Sequence, residues 1–95
     1  MNIFVRNLPQ TAAEAYLDEA FGEYGGVRST AVLRDKHTGA SRGCGYVEML
    51  DVVEAESAIA QLNGQHVEGL VLVVRRATSN PASIEKAYRR AAMSR

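Results

Sequence analysis

The sequence predicts an α+β fold in which a four-stranded antiparallel sheet carries two helices on one face, with a further helix near the C-terminus. Three observations predict it. Four short segments alternate apolar and polar residues or are rich in β-branched residues, as β-strands are. Two longer segments repeat apolar residues at helical spacing and end at glycine-containing pairs. The 95 residues, 46% hydrophobic and 23% charged, are enough for one soluble domain of two layers.

The first strand and the first helix occupy the N-terminal part of the chain. Residues 2–6 alternate between two faces, and Pro9 ends the strand. Thr11 and Glu14 have the spacing of a capping box, which predicts the start of a helix that stops at the two glycines 25–26. The apolar residues of this helix recur at helical spacing and are Tyr16, Leu17, Ala20, Phe21 and Tyr24.

Two further strands and a second helix follow in the middle of the chain. Residues 27–34 are rich in β-branched residues, residues 35–41 are polar with turn-forming residues, and residues 42–50 alternate again. Asp51 and Glu54 repeat the capping pattern, so they predict the start of the second helix, which the pair Asn63-Gly64 ends. Its predicted buried face comprises Ala55, Ala58, Ile59 and Leu62.

A fourth strand over residues 70–76 completes the order βαββαβ, a ferredoxin-like α+β sandwich. Both helices then cover one face of the sheet, and the other face is left open. Strand alternation places Phe4 and Tyr46 on that open face. Two aromatic rings on an uncovered sheet predict a binding surface, because large exposed apolar patches are uncommon on monomers.

Charge is distributed unevenly along the chain, although its formal net charge is zero. Residues 1–74 contain 5 Lys and Arg against 10 Asp and Glu, whereas residues 75–95 contain 6 against 1. A basic segment beside an acidic body is typical of nucleic-acid contact, although a solvated arginine-rich helix has the same composition. Asn80 and Pro81 predict a helix from about residue 81. Its apolar stripe is Ile84, Ala87, Tyr88 and Ala91.

Composition and motifs exclude several classes of protein. The single cysteine cannot form an internal disulfide or a Cys-based zinc site, and it indicates a reducing, cytoplasmic compartment. No apolar run is long enough to span a membrane, and the N-terminal residues lack the pattern of a secretory signal. The Gly43–Gly45 stretch is no phosphate-binding loop, because no helix opens directly after it. We therefore expect no enzyme, no catalytic residue, no metal and no cofactor.

Two stretches resemble the signature motifs of the RNA recognition motif family. Residues 3–8, IFVRNL, resemble the RNP2 motif, and residues 42–49, RGCGYVEM, resemble the RNP1 motif. The RNP1 pattern is K/R-G-F/Y-G/A-F-V-x-F/Y. If Tyr is allowed for Phe at the fifth position, only Cys44 and Met49 depart from it. Both motifs occur at the separation and in the element order that the family requires, so the resemblance implies the fold and binding mode of the family.

The resemblance covers residues 2–77 and divides the chain into an RNA recognition motif domain, residues 1–77, and a basic extension, residues 78–95. In length the chain also resembles the small single-domain RNA-binding proteins of some bacteria. The family resemblance implies single-stranded RNA as the partner, with single-stranded DNA as a further candidate and no membrane partner. We expect the binding to be weak and of low sequence specificity.

The resemblance also implies roles for individual side chains on the open face. Phe4 and Tyr46 would each stack one base, and Arg42 would contact a phosphate. Cys44 occupies the third stacking position but offers no ring. Because stacking is worth about 1–3 kcal/mol per base, this loss implies binding about 5- to 150-fold weaker than at a three-ring site. Strand alternation, rather than the resemblance, gives Arg6 and Arg75 as candidates to meet the backbone and Glu48 as a candidate to accept from a base amino group. Arg76 is a further candidate for nucleic-acid binding.

The residues leave a second interpretation open. The sheet face would then be covered by the C-terminal helix or by a partner chain, and the protein would be a protein-interaction or oligomerisation module. Ala31, Leu33 and Val73 make the predicted open face partly apolar, which suits such a contact. Cys44 would then be a small buried hydrophobic residue rather than part of an RNA-binding surface.

Overall fold

The computed structural model describes residues 1–77, and every structural statement below concerns these residues. The predicted C-terminal helix and most of the basic segment lie outside them. No helix in this range is long and apolar enough to cross a membrane. The elements in chain order are β1 (Asn2–Arg6), α1 (Glu14–Gly22), β2 (Val27–Arg34), β3 (Ser41–Met49), α2 (Val52–Leu62), β4 (His66–Val67), β5 (Leu70–Val71) and β6 (Val73–Arg76).

Four strands form an antiparallel sheet in the order β2-β3-β1-β6, and β4 and β5 pair separately as a short hairpin. The α+β sandwich predicted from the sequence is confirmed, but the predicted fourth strand, residues 70–76, is divided. Glu68 and Gly69 have positive φ values of 49° and 82°, the backbone of a two-residue hairpin turn. This turn folds β5 back onto β4, so only β6 joins the sheet beside β1.

The core lies between the sheet and the two helices. Alternate residues of the strands supply one side of the core, and α1 and α2 supply the other. The predicted apolar faces of both helices are confirmed, with Tyr16, Ala20, Tyr24 and Ile59 packed at the edge of the core. Its most buried large side chains are Ile3, Val5, Leu17, Phe21, Val47, Met49 and Val74.

The two helices begin in different ways. Asp51 caps α2 as predicted, because its Oδ1 accepts a hydrogen bond of 2.9 Å from the Glu54 amide. The capping box predicted for α1 is wrong: the helix begins at Glu14, and within residues 1–77 no side chain forms a hydrogen bond at its cap. The Thr11 hydroxyl donates instead to Glu68 Oε2 at 2.9 Å, which ties the loop before α1 to the β4–β5 hairpin.

Glu14 joins the start of α1 to β2, an edge strand of the sheet. Its Oε2 accepts from the Val32 amide at 3.0 Å, and its Oε1 accepts from Arg34 Nη2 at 3.2 Å. The hydrogen bond from Val32 is the main reason why the pKa of Glu14 is lowered from its usual 4.5, and Arg34 adds to this effect. The carboxylate therefore protects part of an exposed sheet edge and fixes α1 against it.

We expect Glu14→Gln to destabilise the domain near neutral pH by less than about 1 kcal/mol, because the ion pair with Arg34 is partly exposed. Folding lowers the pKa of Glu14, so its ionised form stabilises the folded domain, and this contribution is fully present above pH 4.5. That stability is lost as the pH falls through the folded-state pKa. Denaturant titrations at about pH 7 and about pH 3 measure the difference. Glu56→Gln on the exposed side of α2 is the control, and a pH-independent difference would contradict the prediction.

Candidate nucleic-acid interface

The two aromatic rings lie in one row across the open face, which we define as the side of the sheet opposite α1 and α2. Phe4 of β1 lies directly opposite Tyr46 of β3 and Arg75 of β6, and Tyr46 lies opposite Ala31 of β2. Directly opposite residues in antiparallel strands point to the same side of the sheet. Both rings are half-buried and Arg75 is exposed, so the row presents two flat apolar surfaces beside a cation.

The next row along the strands contains Arg6, opposite Cys44 and Val73. Arg6 is exposed, and within residues 1–77 its side chain makes no hydrogen bond or ion pair. Cys44 is only 4% exposed, although it belongs to this row, and it lies outside the core cluster beneath the helices. Leu33 of β2 is likewise only 5% exposed and lies outside the core cluster. The strand register thus places Cys44 on the open face, as expected, but its low exposure was not expected.

A depression of about 280 Å³ lies beside the Phe4 ring. At its end the chain leaves β1 through Asn7, whose φ of 60° lies in the left-handed region that asparagine tolerates. The Asn7 Nδ2 donates to the Val71 carbonyl at 3.1 Å, so the β4–β5 hairpin fixes its orientation. Asn7 lies within the stretch that resembles RNP2, but its contact with Val71 could not be predicted, because the two residues are 64 positions apart. The residues that line the depression are Phe4, Arg6, Asn7, Arg42, Gly43 and Cys44.

Gly43 is required at the rim of this depression for its backbone conformation. Its φ of 77° is one that residues with a Cβ rarely adopt. In this conformation the Gly43 carbonyl accepts a hydrogen bond of 2.8 Å from the Leu8 amide, which joins the start of β3 to the end of β1. The glycine of the RNP1 pattern thus holds the neighbouring residues Arg42 and Cys44 beside Arg6.

The loop between β2 and β3 holds Arg42 through Asp35. Asp35 Oδ1 accepts from the amides of His37 at 2.8 Å and Thr38 at 2.9 Å, which makes a tight turn. The Thr38 amide, followed by that of His37, lowers the pKa of Asp35. Asp35 Oδ2 lies 3.6 Å from Arg42 Nη2. The loop was predicted only as a polar connection, and the position of Arg42 beside Asp35 was not predicted.

The other predicted residues are distributed over both sides of the sheet. Glu48 is on the open face opposite Asn2, where it accepts from the Ser29 hydroxyl at 3.4 Å and lies 4.0 Å from Arg28 Nε. Arg76 is opposite Ile3, whose side chain is in the core. Alternation therefore places Arg76 on the helix side of its strand, and the structure does not bring it together with Phe4, Tyr46 and Arg75.

Comparison with known proteins supports the family resemblance in sequence. The chain matches the RNA recognition motif over residues 3–73. It is 39% identical over 79 residues to a 28 kDa chloroplastic ribonucleoprotein of Nicotiana sylvestris, covering 83% of this chain and 29% of that protein. It is also 39% identical over 80 residues to glycine-rich RNA-binding protein 1 of Mycosarcoma maydis, covering 84% of this chain and 46% of that one. The chain thus spans less than half the length of these curated relatives.

Solved structures support the same family. The crystal structure of RNA binding protein PG1 has a TM-score of 0.82 and 42% sequence identity, and the match covers 85% of this chain and 98% of that chain. The protein in the Sxl-lethal protein/RNA complex has a TM-score of 0.76 and 42% identity, and the match covers 80% of this chain and 47% of that chain. The chain therefore belongs to the RNA recognition motif family.

Proposed function

We propose that the chain is a single-stranded RNA-binding module that stacks bases on Phe4 and Tyr46. The observation that carries the proposal is their position directly opposite each other on neighbouring strands, on the face that α1 and α2 do not cover. Ring stacking uses the π face that every base has, so it tolerates varied sequences. Relatives named as a ribonucleoprotein and an RNA-binding protein, and a related protein solved with RNA, are consistent with this function.

Three arginines surround the two rings and would contact the RNA backbone. Arg75 lies in the same row as the rings, Arg6 in the next row, and Arg42 at the rim near Asp35. Guanidinium groups form strong charge-assisted hydrogen bonds with phosphate oxygens. Glu48 would accept from a base amino group at the far end of the face. With two stacking rings and no ring at Cys44, the module would hold few bases, so we expect weak and tolerant binding.

We propose a binding function without catalysis, with single-stranded DNA as a weaker ligand because it lacks the 2′-hydroxyl. The division into a domain of residues 1–77 and a basic extension of residues 78–95 also stays a prediction. The relatives compared above come from a plant and a fungus, and one of them is chloroplastic. Similarity to small bacterial proteins and a cytoplasmic location therefore rest on the sequence argument alone.

We expect the full chain to bind a random single-stranded RNA octamer in low salt and to prefer it to duplex RNA of equal length. Affinity should fall with salt with a logarithmic slope of about −2, because three arginines would neutralise three phosphates at about −0.7 each. Fluorescence anisotropy measures both quantities. Arg75→Gln should reduce the slope by about 0.7, whereas Arg34→Gln, paired with Glu14 away from the face, should not change it. Equal affinity for single strand and duplex would contradict the stacking mechanism.

One observation favours the second function, a protein-interaction or oligomerisation module with a covered sheet face. Leu33 and Cys44 are almost fully buried although neither belongs to the core cluster. Deleting residues 78–95 distinguishes the functions. If the extension competes with RNA, its deletion should tighten binding, and if it contacts phosphates, its deletion should weaken binding and flatten the salt dependence. Gel filtration over a range of concentrations tests self-association.

A further inference from the structure

The depression beside Phe4 differs in chemistry from the rest of the open face. The central row offers apolar ring surfaces, whereas this depression has hydrogen-bonding side chains on its walls. Arg6 and Asn7 come from the end of β1, and Arg42 comes from the start of β3. Such a surface suits the edge of a flat polar group better than its face, because edges of bases carry their hydrogen-bonding atoms.

The small residues on the β3 side make room for that group. Gly43 has no side chain. Cys44 lines the depression although it is only 4% exposed, and its side chain is short where the family pattern has an aromatic ring. The row that contains Cys44 lies two residues along the strand from the row that contains Phe4 and Tyr46. Side chains on one face of a strand are about 7 Å apart at this separation. A nucleotide next to one stacked on the rings can therefore reach the depression.

The wall residues differ in how strongly they are already held. Arg42 lies against Asp35, and the Asn7 amide group donates to Val71. The Arg6 guanidinium, by contrast, makes no hydrogen bond or ion pair within residues 1–77. It carries only donors, in a rigid planar fork that matches two adjacent acceptors. Arg6 is therefore the side chain best suited to recognise a base at this position.

We infer that the depression binds one base by its edge and favours guanine, with Arg6 as the residue that determines this preference. The inference rests on the proposed RNA-binding function. Guanine carries two adjacent acceptors, O6 and N7, which an arginine contacts with two parallel hydrogen bonds. Adenine and cytosine place an amino donor at the corresponding edge, where the guanidinium would leave it unpaired, and uracil offers a single acceptor there. The RNA is thus a largely sequence-tolerant strand with one preferred guanosine.

The test compares pentauridine strands that carry one guanosine or one adenosine at each position in turn, with binding to the full chain measured by anisotropy. At one position guanosine should bind about fivefold or more tightly than adenosine. Replacing that guanosine by 7-deazaguanosine removes N7 and should abolish most of the preference. Equal affinity of the guanosine and adenosine strands at every position would overturn the inference.

Arg6→Lys keeps the charge and removes the two-pronged fork, so it separates base recognition from phosphate attraction. We expect the guanosine-to-adenosine ratio to fall toward one, because any change in phosphate attraction is common to both strands and cancels in the ratio. Arg28→Lys, on β2 outside the depression, should leave the ratio unchanged. A ratio that Arg6→Lys does not alter would overturn the role of Arg6. The stacking function is tested separately, because the guanosine-to-adenosine ratio reports only on the depression. If replacing Phe4 and Tyr46 left the affinity for pentauridine unchanged, the stacking function would be contradicted.

Discussion

Replacing both Phe4 and Tyr46 by alanine is expected to weaken binding of single-stranded RNA by about 30-fold or more. Each ring should contribute about 1–3 kcal/mol through stacking, so each single replacement should weaken binding about fivefold or more. The rings lie opposite each other on the open face, so neither replacement removes a side chain from the core cluster. Anisotropy titrations in low salt measure the affinities, and thermal unfolding checks that the variants are folded.

Replacement of the same two residues by leucine provides the matched control. Leucine keeps an apolar side chain of similar reach but has no π surface, so it should lose nearly as much affinity as alanine if bases stack on the rings. If the face only removes apolar surface from water, the leucine variants should retain most of the affinity. A double alanine variant with unchanged affinity would show that RNA does not bind through these rings at all.

The arrangement of the sheet follows from short-range patterns, and this is why most of it could be predicted. Strand alternation and helical spacing are local properties, and they determine which side chains of β1, β3 and both helices enter the core. The bounds and register of the strand within residues 70–76 are harder to predict, because the five consecutive apolar residues from 70 to 74 show no alternation. The turn at Glu68 and Gly69 places residues 70–71 in a separate hairpin, so the sheet strand begins only at Val73.

The sequence predicts the site residues that occupy motif positions, but it does not predict contacts between residues that are distant in the chain. Phe4, Tyr46 and Arg42 occupy motif positions, so the resemblance identified them. Asn7 also lies within the RNP2-like stretch, but no local pattern predicts its contact with Val71 or the contact of Asp35 with Arg42. The difference between Arg75 and Arg76 requires the register of β6 against β1, which places only Arg75 beside the rings.

Gly45→Ala adds a single methyl group, yet it is expected to cost about 2–3 kcal/mol of stability. Gly45 faces the core between Val5 of β1 and Val32 of β2. A Cβ at this position would overlap the carbonyl oxygen of Ala31 and would lie 3.3 Å from the Leu17 side chain. Because β3 is hydrogen-bonded on both sides, it cannot move away from one neighbour without disturbing the other. Thermal unfolding should show a melting temperature lower by about 8–20 °C.

Gly22→Ala is the control for this substitution, because no other atom of residues 1–77 lies within 4 Å of a Cβ at the end of α1. Alanine is the better helix former, so we expect unchanged or slightly higher stability there. A Gly45→Ala variant that melts like the wild type would contradict the close contact between β2 and β3. The same contact has a consequence for binding, because Tyr46 follows Gly45 directly and Phe4 is fixed opposite it. A displaced β3 should therefore weaken RNA binding even at temperatures where the variant is folded, whereas Gly22→Ala should bind as the wild type does.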